Sequence, residues 1–167
     1  MEAIVVDTGP NPAWAVIWLH GLGADGTDFE PVVPELGLPE TPAVRFIFPH
    51  APYQPVTCNG GYVMRAWYDI ISLARNSREI DEAGLIASRQ RVRSLIAAEV
   101  AGGIPAQRII LAGFSQGGAV AYLTWLTHPE RLGGIVALST YIPSPRLLRA
   151  ELVAEQLKVP IFTAHGD

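Results

Sequence analysis

The chain has 167 residues, 49% of them hydrophobic, and a formal net charge of −4; by length this is one domain with enough apolar content for a sizeable core, which excludes a disordered chain. No run of Lys or Arg supplies an electrostatic footprint for nucleic acid or an anionic membrane surface, so neither is expected as a partner. Residues 1–7 lack a basic segment ahead of a long apolar stretch, and no apolar run approaches the ~18 residues of a membrane span, so a soluble cytoplasmic protein is the expectation.

In chain order, the apolar run 13–19 reads as the first strand. Thr27 and Glu30 then have capping-box spacing, with Phe29, Val32, Val33 and Leu36 at helical intervals, although Pro34 would interrupt such a helix. A second strand covers 44–48. The stretch 49–65, rich in Pro, Gly and aromatic residues, is irregular and too long for a simple connection, as functional loops often are. The spacing predicts a helix over 81–100, with Leu85, Val92, Leu95, Ile96 and Val100 on one stripe and Gly102 and Gly103 as its stop. A third strand, 108–114, leads through Ser115 into a helix carrying Val120, Leu123, Trp125 and Leu126 before Pro129. A fourth strand spans 133–138. Ser144 and Pro145 read as an N-cap and first helical position, opening a helix through Leu147, Leu148, Leu152 and Val153, and 159–164 reads as a fifth strand. Short apolar runs without alternation suit strands covered on both faces. Their alternation with helices predicts an α/β fold, a mainly parallel sheet with helices on both faces, and neither a domain boundary nor a repeat divides residues 1–167. The prolines are scattered at element ends rather than clustered, which argues against a proline-rich scaffold.

Gly113-Phe114-Ser115-Gln116-Gly117 is a G-x-S-x-G pentapeptide between a strand and a helix, the setting in which a serine on a sharp turn is lifted out of a sheet as a nucleophile. Side chains in place of its glycines would collide with the neighbouring strand and helix. His20-Gly21-Leu22-Gly23 directly follows the first strand. Acyl-transfer enzymes of this architecture take one oxyanion-binding amide from such a loop and another from the residue after the nucleophile, so Leu22 and Gln116 are the matching backbone donors. Cys58 is the sole cysteine, so no internal disulfide exists, and no histidines or cysteines have metal-site spacing.

Trp18-Leu19-His20-Gly21-Leu22-Gly23, Pro49 through Ala51-Pro52, Asn59-Gly60-Gly61, Trp67-Tyr68-Asp69, Gly113 through Gly118 and His165-Gly166-Asp167 resemble, in order and over nearly the whole chain, the phospholipase/carboxylesterase family. This family includes bacterial carboxylesterases and acyl-protein thioesterases. The resemblance implies an α/β-hydrolase without a large lid domain, hydrolysing carboxylic esters or thioesters of short to medium acyl chains through an acyl-enzyme on Ser115, without metal or organic cofactor. In the family the catalytic Asp lies two positions beyond the third residue of the His-Gly-Asp motif, here Asp167, and the catalytic His a few dozen residues later. By the resemblance, then, both triad partners fall outside this chain, none of His20, His50, His128 and His165 matches the base, and the last strand and helix of the fold are missing. An apolar sheet edge is expected at 159–164, open to homodimerisation or to pairing with another chain.

The long stretch after the second strand is expected to wall the acyl pocket, with Tyr53, Tyr62, Met64 and Trp67 as its apolar contributors, because ligand loops of open α/β sheets gather on that side. The alternative reading for Trp67 is a pin between loop and core. The rival to the esterase reading is a catalytically silent hydrolase-fold module that binds acyl groups or completes its sheet with a partner.

Overall fold

Five continuous apolar runs assemble with one further strand into a single sheet. A computed structural model of the chain describes residues 1–74 and 77–166, with the side chains of residues 74, 77 and 78 outside that description; the expectation attached to Asp167 therefore lies outside the described residues. The strands are β1 (Ala3–Asp7), β2 (Trp14–Leu19), β3 (Val44–Pro49), β4 (Tyr53–Val56), β5 (Tyr62–Arg65), β6 (Ile70–Ala74), β7 (Ser77–Ile80), β8 (Ile109–Phe114), β9 (Gly134–Leu138) and β10 (Ile161–Ala164). The helices are α1 (Val32–Glu35), α2 (Glu82–Ala101), α3 (Gln116–Thr127) and α4 (Pro145–Glu151). The sheet runs β1-β3-β2-β8-β9-β10, with β1 antiparallel to β3 and every other pair parallel. Two hairpins, β4–β5 and β6–β7, stand apart from it.

The period of two along a strand divides the core. Ala15, Ile17 and Leu19 of β2 point into one cluster with Leu85 and Val92 of α2, Leu123 of α3 and Leu147 of α4. Val16 and Trp18 point into the other, with Phe46, Phe48, Ala112 and Val33. On this second face the cover is thin. The helix expected from Thr27 to Leu36 is the single turn α1, and the Thr27 N–H that Glu30 would accept in a capping box instead donates to Asp25 Oδ1 (2.8 Å), as does the Thr27 hydroxyl (2.5 Å). Pro34 inside that turn has no N–H to extend it. Beside α1 lies an apolar cavity of about 650 Å³, lined by Trp14, Trp18, Leu36, Phe46, Val136 and Phe162.

β10 departs from the expectation of cover on both faces. All four of its residues are exposed; it pairs on one side only, with β9, and Phe162 borders the cavity. β1 was not expected. Its alternation, with Val5 exposed and Ile4 and Val6 packed inward, is that of an edge strand. The irregular stretch after β3 folds in part into the β4–β5 hairpin. α4 ends at Glu151, short of the expected Leu152 and Val153, but opens as anticipated: Ser144 Oγ accepts the Leu147 N–H at 3.3 Å with proline at N1.

Candidate active site

β2 and β8 are neighbours whose onward connections diverge, β2 leading to β3 on one side and β8 to β9 on the other. Such a switch point opens a crevice at the carboxyl ends of the two strands. Leu19 pairs with Gly113, so the chain leaves both strands at one level, into His20–Gly23 on one side and Ser115 on the other.

Ser115 has φ 51° and ψ −116°, a conformation that L-residues rarely adopt and that costs on the order of 1–3 kcal/mol. Its backbone is fastened on both sides: the Ser115 N–H donates to the Leu138 carbonyl (3.0 Å), and its own carbonyl accepts the Thr140 hydroxyl (2.6 Å) and the Ala119 N–H (3.1 Å). The glycines are needed for close approach. A Cβ on Gly113 would lie 2.6 Å from Gly118 backbone atoms, and one on Gly117 would collide with the Leu19 and His20 carbonyl oxygens. The half-buried Ser115 hydroxyl has no hydrogen-bond partner among the described residues.

Leu22 is half-buried in the first loop, and Gln116 opens α3, where the first N–H groups have no intrahelical partner. Neither the Leu22 nor the Gln116 N–H has an acceptor among the described residues, whereas Gly23 N–H is used by the Arg65 carbonyl at 2.8 Å. One amide without an acceptor thus lies in the loop after β2 and another at the start of α3 beside Ser115; where such amides converge they can bind a developing oxyanion.

The expected pocket wall divides. Tyr53 opposes Arg65 across the hairpin, so its ring lies on the Arg65 face, 4.4 Å beneath the guanidinium, while Tyr62 and Met64 share the opposite face. Met64 Sδ lies 3.6 Å from where a Cβ on Gly23 would be, which sets the Met64 face toward the oxyanion loop and Tyr53 away from it. Tyr62 is 71% exposed, leaving its ring free at the hairpin's end. Trp67 is fully buried and has no surface to offer a substrate; its indole N–H donates to the His20 carbonyl at 2.9 Å, so it pins the loop to the core. Trp67 is therefore not a pocket contributor, and Tyr53 lies on the hairpin face opposite Met64.

Three of the four histidines are bonded to backbone groups. Nε2 of buried His20 accepts the Ala51 N–H at 3.0 Å, and Nδ1 donates to the Gly21 carbonyl at 2.7 Å, which makes the ring a neutral, Nδ1-protonated imidazole. Burial lowers its pKa from the ordinary value, against the backbone carbonyl and Asp25, which raise it. Nδ1 of His50 accepts the Gly26 N–H at 3.0 Å, and Nδ1 of His128 faces the Glu130 backbone. His165 is exposed just past β10. Among the described residues no three of His, Cys, Asp and Glu converge as metal ligands, and no helix is long and apolar enough to cross a membrane.

The residues that sequence reasoning missed hold the site rather than form it: the side chain of Gln116, the ring of His20 and the hydroxyl of Thr140. No local signal marks them, since their partners lie 25 or more residues away.

Known proteins show the same arrangement of chain. Acyl-protein thioesterase 1 of Cryptococcus neoformans is 44% identical over 154 residues, covering 90% of this chain and 64% of that protein. Carboxylesterase SOBER1 of Arabidopsis thaliana is 36% identical, covering 90% of this chain and 67% of that one. The crystal structure of SOBER1 superposes with a TM-score of 0.84 over 92% of this chain and 73% of that chain, at 35% identity. The chain thus spans just under two thirds of the Cryptococcus relative's length. The family model for Phospholipase/Carboxylesterase matches residues 1–167, and the chain belongs to that family.

Proposed function

We propose that this chain carries the nucleophile and the oxyanion-binding half of a serine hydrolase that cleaves carboxylic esters or thioesters of short to medium acyl chains. One observation carries the reading: an unpartnered serine hydroxyl on a strained, glycine-flanked turn beside two unoccupied amides at the switch point of the sheet. The names of the relatives, a thioesterase and a carboxylesterase, support the substrate class.

Ser115 Oγ attacks the acyl carbonyl, and the N–H groups of Leu22 and Gln116 hold the oxyanion, each such donor being worth about 3–4 kcal/mol to the transition state. Collapse expels the alcohol or thiol, and water then hydrolyses the acyl-Ser115 ester. The attack needs a base for the hydroxyl proton, and none of the four histidines of this sequence is engaged with Ser115. We assign the base, and the carboxylate that orients it, to polypeptide outside residues 1–167. The substrate is a small ester or acylated molecule met in the cytoplasm, and no metal takes part.

The test is covalent labelling of the full-length protein with a fluorophosphonate, alongside Ser115→Ala. Labelling of the parent and none of the folded variant is expected, since the glycines rather than the hydroxyl set the turn; labelling that persists in Ser115→Ala would remove Ser115 from the role.

A further inference from the structure

The residue after the nucleophile makes contacts at both of its ends. The backbone N–H of Gln116 has no acceptor among the described residues, while its side chain is buried and seated on another segment: Oε1 accepts the Trp67 N–H at 2.8 Å and Nε2 donates to the Tyr68 carbonyl at 2.7 Å. The same segment holds the other loop. Trp67 Nε1 donates to the His20 carbonyl at 2.9 Å, and the Arg65 carbonyl accepts the Gly23 N–H at 2.8 Å, one contact on each side of Leu22. The segment is itself anchored from α2, where the Ser88 hydroxyl donates to the Trp67 carbonyl. Among the described residues no hydrogen bond runs directly between 20–23 and 115–118. Beyond the β2–β8 ladder from which the two loops emerge and the close approach of Gly117 to the Leu19 and His20 carbonyls, residues 65–68 are a strut hydrogen-bonded to both.

We propose that Gln116 is a positioning residue: its side-chain amide, docked on the Trp67–Tyr68 backbone, fixes the Gln116 N–H relative to the Leu22 N–H so that both reach one oxyanion. The proposal rests on the serine-hydrolase reading above. An amide or a neutral carboxylic acid of this length can accept from one peptide group and donate to the next; a hydrocarbon side chain can do neither, and a carboxylate can only accept. Because catalytic hydrogen bonds depend steeply on placement, loosening one amide weakens binding of the tetrahedral intermediate far more than binding of the ester.

The experiment uses the full-length protein with p-nitrophenyl butyrate as probe, comparing Gln116→Leu, Gln116→Glu and Ser115→Ala, each assayed well below its thermal midpoint. For Gln116→Leu, kcat is expected to fall by about tenfold or more with KM within about twofold, the pattern of an interaction made in the transition state. For Gln116→Glu, the ratio of its kcat to that of the parent should rise as pH falls, because the buried carboxyl regains its donor on protonation. A Gln116→Leu variant that melts earlier but keeps the parent's kcat and KM overturns the proposal, as does a Gln116→Glu ratio that is flat with pH. If Gln116→Leu does not fold, the Gln116→Glu profile decides alone. Turnover surviving in Ser115→Ala condemns the underlying hydrolase reading instead, so the two failures are told apart.

Discussion

At the scale of single residues, His20 shows how a motif histidine can be structural. Its ring spends both nitrogens on backbone, accepting from Ala51 and donating to Gly21, and so fastens the oxyanion loop to the chain just after β3. Only the neutral form can make both bonds. Burial holds the pKa below the ordinary 6.5; the Gly21 carbonyl and Asp25 oppose that shift, while His50 and Arg65 add to it. The sign of the consequence follows from proton linkage. Between the lowered folded pKa and the unfolded value of about 6.5, the unfolded chain binds a proton that the native state does not, so stability is complete above about 6.5 and is lost as pH falls through that window. The protein should melt at a lower temperature at pH 5 than at pH 7, and His20→Gln should flatten that dependence. Circular-dichroism melts across this range check the point; equal pH slopes in parent and variant would mean that another group carries the effect.

At the scale of elements, the β4–β5 hairpin should select acyl chains with one face only. Met64 abuts the oxyanion loop and Tyr62 shares its face, whereas Tyr53 lies on the other side under Arg65. Each methylene buried against such a wall is worth about 0.8 kcal/mol, or roughly threefold to fourfold. Met64→Ala and Tyr62→Ala should therefore reduce the preference for octanoyl over butyryl esters several-fold in kcat/KM, and Tyr53→Ala should leave it unchanged. A Tyr53→Ala effect equal to that of Met64→Ala would show the facing to be wrong. This division could not be read from the sequence, in which Tyr53, Tyr62 and Met64 are equally plausible aromatic or apolar residues in one loop. What could be read were elements whose signal is local: the continuous apolar strands β2, β3, β8 and β9, the stripe of α2, and the cap of α4. β1 escaped because a short edge strand owes its existence to a partner distant in sequence, β3, and the β4–β5 hairpin because its four-residue strands are largely exposed and carry no continuous apolar run. α1 was overread because Asp25 captured the Thr27 N–H that a capping box would have used. The candidate site divides in the same way. The proposal of Ser115, Leu22 and Gln116 rests on local strand-turn-helix motifs, while the strut through Trp67 exists only once residues 47 to 49 positions apart meet.

At the scale of the whole molecule, the proposed nucleophile and oxyanion-binding amides of residues 1–167 have no histidine engaged with them among the described residues, and an apolar cavity lies on one face of the sheet. Trp18, Phe46 and Phe162 line the cavity on that face, and β10 lies bare at the edge beside it. Self-association can cover such a surface, yet a second identical chain brings only the same four histidines. Loss of the triad costs on the order of 10⁶ in turnover in serine hydrolases, while binding and oxyanion stabilisation alone retain about 10³–10⁴ over water. Purified 1–167 should accordingly hydrolyse p-nitrophenyl butyrate several orders of magnitude more slowly than a form extended to the length of its relatives. Both are assayed at one pH, with Ser115→Ala of each subtracted to remove background esterolysis by surface groups. Size-exclusion chromatography of the same samples separates an association effect from a chemical one, because a dimer without a base stays slow. Ser115-dependent turnover of 1–167 within about tenfold of the extended form would mean that a histidine of this chain serves as base. The exposed His165 would be the first to replace, since the rings of His20, His50 and His128 are held by backbone groups.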